Sequence, residues 1–132
     1  MSVELSEQQL DEFKKQLKDL YLQLREEIRQ NLLRTDNESY QELAGSVHDI
    51  SDEALADLLV DINNANISRQ IQEIRDIDAA LLRIANKTYG ECIDCGQPIS
   101  LQRLQAYPTA KRCLDCQEVY ERTHAGSKGP TI

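Results

Sequence analysis

The four cysteines of this 132-residue chain stand as Cys92-x2-Cys95-x17-Cys113-x2-Cys116, and no other feature limits the fold so strongly. A two-residue gap lets both sulfurs of a pair face one point, so two such pairs complete a tetrahedron of thiolates. Gly96 follows the first pair, where the chain must turn tightly. The spacing therefore predicts one zinc ion held by Cys92, Cys95, Cys113 and Cys116. Four protein ligands leave no position for water or substrate, so the ion is structural and not catalytic. Below about 40 residues a domain needs such a staple to fold, and the segment 89–124 is of that size. Two other chemistries compete for these cysteines. Redox dithiols are disfavoured because neither pair stands at a helix start after a strand, and an iron–sulfur cluster because the two-pair layout suits a zinc knuckle better. His48 and His124 are read as surface residues.

The charge is as unevenly placed as the cysteines. Of the net −8, essentially all lies between Arg34 and Arg69, where there is no Lys or Arg. Asp36, Glu38, Glu42, Asp49, Asp52, Glu53, Asp57 and Asp61 fall in that interval, and the rest of the chain carries acids and bases in equal number. Such a segment is either a solvated acidic loop or a surface for a basic cleft or a metal-bearing site. The finger segment 89–132 has five acids and five bases, and Arg103, Lys111 and Arg112 are too few for a phosphate-binding footprint. Direct DNA binding is not expected. No stretch reaches the ~20 apolar residues of a membrane span, and the first ten residues lack the pattern of a signal peptide. A cytoplasmic protein with reduced thiols is the expectation.

Upstream of the cysteines the pattern is helical. Residues 6 to about 34 read as one helix, with Ser6 as N-cap and Gln9 completing a capping box. Leu10, Phe13, Leu17, Leu20, Leu24 and Ile28 recur at spacings of three and four. Around 35–51 the sequence turns polar and contains Gly45, so the helix is expected to end or bend. Ser51 caps a second helix that starts near Asp52 and runs to about Lys87, with a stripe from Leu55 through Ile62 to Ile84. Each helix would extend about 50 Å. Two narrow stripes are satisfied by an antiparallel coiled-coil hairpin with the acidic segment at its tip, or by dimerisation of separate helices. The predicted architecture is mainly α: a hairpin over 1–88 with an acidic tip around 36–54, a zinc finger over 89–124 with a short helix from Leu114 to about Thr123, and a flexible tail over 125–132. A monomer is expected.

Residues 89–116, YGECIDCGQPISLQRLQAYPTAKRCLDC, closely resemble the zinc-finger signature of the DksA/TraR family of bacterial transcription regulators. Gly90, Cys92, Cys95, Gly96, Ile99, Arg103, Leu104, Ala106, Pro108, Ala110, Cys113 and Cys116 carry the match. Asp49-Ile50-Ser51-Asp52-Glu53-Ala54 fits the pattern D-x-x-D-x-A that DksA-type members carry where their two long helices meet. The resemblance implies direct binding to RNA polymerase, with a hairpin in the secondary channel and its tip near the catalytic centre. It makes Asp49 and Asp52 polar contacts of the tip, Ala54 a small residue permitting close approach, and Asn66 and Arg69 further polymerase contacts. The basic positions through which DksA binds the alarmone ppGpp correspond to Asp76, Tyr107 and Gln117, which argues against an equivalent site. Most of the N-terminal extension of full-length DksA is also absent.

The function this implies is non-enzymatic regulation of initiation. A Gre-like transcript-cleavage factor would also deliver carboxylates through that channel, but needs no zinc knuckle. A zinc-stabilised adaptor binding another protein would use the apolar stripes and leave the acidic motif unexplained.

Overall fold

Ser6 and Gln9 open the first helix as their spacing predicts. In the computed structural model the Ser6 N–H donates to Gln9 Oε1 at 2.9 Å and the Gln9 N–H to Ser6 Oγ at 3.1 Å, which satisfies two of the helix's orphan donors reciprocally. The structure describes residues 5–59 and 65–124, except the side chain of Leu58. Ile62, Asp61 and the tail over 125–132 lie outside the described residues. Helix α1 spans Glu7–Leu33, and Phe13, Leu17, Leu24, Ile28 and Leu32 of its stripe are buried. At 1.5 Å per residue it extends about 40 Å.

The polar stretch around 35–51, where the first helix is expected to end or bend, carries a short helix of its own. Helix α2 spans Glu38–Ala44, with the Asn37 side chain accepting from the N–H groups of Ser39 and Tyr40, and Gly45 ending it. Tyr40, Leu43, Ala44 and Val47 fall at i, i+3, i+4 and i+7, and Ala44 and Val47 are buried. An apolar face hidden in a polar stretch thus suffices to form a short helix. Helix α3 spans Asp52–Leu58, capped by Ser51 as predicted, and its acidic first turn complements the helix dipole.

The single helix expected over 52–87 is not formed: α3 stops at Leu58, Leu59 lies in a turn, and α4 spans Ala65–Ala85. Leu55, Ala56 and Leu59 are all buried, so this segment serves a packing face of its own and not the first turns of a long rod. Helix α4 extends about 30 Å over Ala65–Ala85. Its stripe of Ile67, Gln70, Ile74 and Ile77 is buried at heptad-like spacing.

The described residues fall into two units, 15–59 with 65–79, and 5–14 with 80–124. Within the first, α1 and α4 run antiparallel. Asn31 Nδ2 donates to Gln70 Oε1 at 2.9 Å and Gln70 Nε2 to Glu27 Oε2 at 3.4 Å, while Tyr21 and Arg25 meet the neighbourhood of Asp78 through Asp52. The segment 47–52 lies against residues 21–26 of α1, since Arg25 donates to the Val47 carbonyl and His48 meets Glu26 at 3.0 Å. That places it about 12 Å back from the end of α1.

In the second unit α4 closes with a Schellman motif. Thr88 N–H reaches Arg83 O at 2.9 Å and Lys87 N–H reaches Ile84 O at 3.2 Å, with Lys87 in the left-handed conformation at φ 64°. Phe13 packs on Tyr89 with ring centroids 5.5 Å apart, and the Tyr89 hydroxyl donates to Pro108 O at 2.7 Å. Gly90 adopts φ 88°, a backbone conformation that strains any L side chain, and a Cβ there would also press on Leu5 Cδ1 at 3.3 Å. Two more helices follow: α5 over Leu101–Ala106, capped by Ser100, and α6 over Leu114–His124. Helix α5 has no counterpart in the sequence reading; α6 agrees with the predicted C-terminal helix.

Candidate metal centre and acidic cluster

Two turns bring the cysteine pairs together. Gly96 N–H donates to Cys92 O at 3.0 Å and Cys92 N–H to Gln97 O at 2.8 Å, with Gly96 at φ 76°. An isolated antiparallel bridge joins Glu91 to Pro98 at the base of this turn. The second pair is tied to the first by Ile93 N–H on Lys111 O at 2.9 Å, and by Arg112 Nε on Asp94 Oδ2 at 2.8 Å. Arg103 Nε holds Arg112 O at 3.1 Å, and the Arg112 guanidinium lies 3.9 Å over the Tyr120 ring. Arg103 and Arg112 therefore brace the finger instead of presenting charge to phosphates.

All four sulfurs lie within 4.8 Å of one another, and Cys95 Sγ is 3.8 Å from Cys113 Sγ. A tetrahedral ion with bonds of about 2.3 Å sets its sulfurs about 3.8 Å apart, so the donor set fits zinc. The protonation chemistry agrees. Burial alone would raise the Cys92 thiol, but the N–H groups of Cys113, Cys95 and Asp94 bring it down to about 6. Cys116 is pushed up by the sulfurs of Cys113, Cys95 and Cys92. A crowd of thiolates is unstable without a cation to neutralise it, and zinc supplies that charge.

The acidic segment is a second concentration of charge, and its members are placed differently. Asp49 is exposed, and Ala54 is half-buried with its N–H on Ser51 Oγ at 3.1 Å. Asn66 and Arg69 are exposed neighbours on α4, joined by Arg69 Nη2 on Asn66 Oδ1 at 3.0 Å. Asp52 is not a free carboxylate. The guanidinium of buried Arg25 and the hydroxyl of Tyr21 both donate to its Oδ1, and the Asp78 carboxyl lies near enough to be coupled to it electrostatically. Arg25 also lies over the Tyr21 ring at 5.0 Å. Arg25, Tyr21 and Asp78 escape the sequence reading. The available signal is that Tyr21 and Arg25 stand four apart beside the Leu17–Leu24–Ile28 stripe, and that Asp78 follows Ile77 on α4.

The comparisons with known proteins agree with this geometry. The family described as the prokaryotic dksA/traR C4-type zinc finger matches residues 87–122. The RNA polymerase-binding transcription factor DksA of Caulobacter vibrioides is 33% identical over 120 residues, spanning 89% of this chain and 80% of that protein. Its counterpart from Salmonella typhimurium is 30% identical over 125 residues, spanning 92% and 80%. Among solved structures, transcription factor DksA2 from Pseudomonas aeruginosa superposes with a TM-score of 0.59 at 28% identity, covering 91% of this chain and 88% of that one. The DnaK suppressor protein from Agrobacterium tumefaciens gives a TM-score of 0.52 at 28% identity, covering 83% and 91%. The finger match and the clustered thiols together establish one structural zinc ion.

Proposed function

Because the chain belongs to the DksA/TraR family of C4-type zinc-finger regulators, we propose that it is a transcription regulator that binds RNA polymerase directly. One observation carries the reading: four thiols within 4.8 Å of one another, inside a segment that matches the family's finger, on a chain whose likeness to these factors spans 92% of its length. It is not an enzyme. The four protein thiolates fill the zinc coordination sphere and leave no position at which a water could be activated.

The contact we propose is the polymerase secondary channel, entered by the acidic segment that includes Asp49, Asp52 and Ala54, with Asn66 and Arg69 as further contacts. Asp36, Glu38, Glu42, Asp49, Glu53 and Asp57 are all exposed, and no Lys or Arg lies between Arg34 and Arg69 to offset them. Such a surface is drawn into a basic, Mg²⁺-bearing pore and biases the mobile elements around it. The protein acts as a monomer in the cytoplasm, where its partner resides; among the described residues no helix is long and apolar enough to cross a membrane. Asp76, Tyr107 and Gln117 offer no positive charge, which supports action independent of ppGpp.

The test is binding to purified core polymerase, followed by the lifetime of promoter complexes with and without the protein. Wild type is expected to bind and to change that lifetime, and the double variant Asp49→Asn with Asp52→Asn to bind but act weakly. Absence of binding sinks the reading. Stimulated transcript cleavage in backtracked complexes would identify a Gre-like factor instead.

A further inference from the structure

Gln70 is a polar side chain at a core position. It falls between Ile67 and Ile74 on the inward stripe of α4 and is only 9% exposed. On α1 its partner Asn31 is half-buried and stands one heptad after buried Leu24. The hydrogen bonds run as a directed chain. Arg34 Nη1 donates to Asn31 Oδ1 at 3.4 Å, Asn31 Nδ2 to Gln70 Oε1 at 2.9 Å, and Gln70 Nε2 to Glu27 Oε2 at 3.4 Å. A guanidinium can only donate and a carboxylate can only accept, so the two ends orient both amides.

The apolar residues do not choose a register by themselves. With Asn31 opposite Gln70, antiparallel pairing sets Leu24 opposite Ile77. Sliding α4 by one heptad, about 10 Å along α1, would set Ile77 opposite Leu17 and Ile74 opposite Leu20, an equally apolar seam. It would also set Gln70 against Leu24, and a buried amide without a partner is costly. The opposite slide would set Ile77 against Asn31 and carry Gln70 beyond Leu33, where α1 ends. We propose that Asn31 and Gln70 are positioning residues that pin the register of α4 on α1. The segment 47–52 is tied to α1 through Arg25, whereas Asn66 and Arg69 ride on α4 within four residues of Gln70. The pin therefore fixes the spacing between the two groups of polymerase contacts. That consequence rests on the polymerase reading above; the register itself does not.

Methyl cross-peaks in NMR spectra of the zinc-loaded full chain read the register without polymerase. Wild type should show Ile77 beside Leu24. Asn31→Leu combined with Gln70→Leu exchanges a polar pair for an apolar one and should raise the melting temperature by about 3–6 °C. It should also add a second set of peaks that place Ile77 beside Leu17. The exchange of Asn31→Gln with Gln70→Asn keeps two amides at the seam and should restore the single register. Once wild-type binding to core polymerase is shown, the leucine variant should lose its effect on promoter-complex lifetime in proportion to the second set, and the exchange variant should keep it. A leucine variant with the Ile77–Leu24 peaks alone overturns the pin. Mixed registers with an undiminished effect overturn its role in spacing the contacts, while a wild type that does not bind rejects the polymerase reading and leaves the register result standing. Should the exchange variant fail to fold, the leucine variant decides; should the latter fail, Gln70→Leu alone is read in the same way.

Discussion

The carboxyl groups of Asp52, which opens α3, and Asp78, on α4, are brought close enough to perturb each other's titration, which favours the proton on Asp78 and the charge on Asp52. Burial, then the hydrogen bond and charge of Asp52, push Asp78 up to about 7. For Asp52 burial works in the same upward direction, but hydrogen bonds from Asp78, Tyr21 and Arg25 outweigh it and hold the group low. The two acids therefore contribute to stability with opposite signs. Asp78 contributes fully below its unfolded value of 3.8, and the contribution is lost as pH rises towards 7. Asp52 contributes fully above its unfolded value of 3.8 and loses its share as pH falls below it.

Asp78→Asn tests this directly, because the amide is neutral at every pH, as the protonated acid is. The variant should be more stable than wild type at neutral and alkaline pH, by about 1–2 kcal/mol after allowing for the solvent access of a half-buried pair. The advantage should shrink at about pH 5, where native Asp78 keeps its proton and the unfolded chain is nearer its own titration range. Calorimetry at two pH values measures both. An equal shift at each would mean that native Asp78 carries no proton.

Chelating the zinc should unfold the finger while leaving the peptide intact. Ile99 and Leu104 are buried there, but a segment of this size has too little core to hold without its ion. Loss of helical ellipticity from α5 and α6 should parallel zinc release, and Cys113→Ser should reproduce it. Release should come more easily as pH falls, since protons compete for the thiolates. Retention of α5 and α6 signals after complete metal loss would contradict the structural role.

Lys87 occupies the left-handed position that ends α4, at φ 64°. A side chain there costs on the order of 1 kcal/mol relative to glycine. Lys87→Gly should therefore raise the unfolding free energy by about that amount, read as a shift in denaturant midpoint at constant slope. A lower midpoint would show that the lysine side chain makes a compensating contact.

Tyr89→Phe keeps the packing on Phe13 but leaves the Pro108 carbonyl without its 2.7 Å donor. Burial raises the tyrosine hydroxyl to about 12, so it remains a donor throughout the working pH range. The expected loss is about 1–2 kcal/mol in the zinc-loaded protein, measured by thermal unfolding without chelator. No change would indicate that water reaches Pro108 in the variant.

What the sequence determined by itself is local. The cysteine spacing assigns the metal ligands because two residues are enough to close a knuckle. The Ser6–Gln9 box, the Ser51 cap and the two apolar stripes mark helices because each depends on neighbours within a turn or two. The missed elements show where this legibility stops. Helix α2 is hidden by its polar composition and by Gly45, which ends it instead of preventing it, and the second long helix breaks at Leu59 although the apolar stripe of the sequence continues past it to Ile84. The acidic motif was legible as a pattern, but the partners of Asp52 were not. Tyr21, Arg25 and Asp78 lie 31, 27 and 26 positions away in the chain, and only the packing of α1, α3 and α4 brings them together. Charges pair with whatever the tertiary fold sets beside them, and burial then decides their protonation. The spacing could say which side chains hold zinc; only the folded chain decides which of two aspartates is left facing outward.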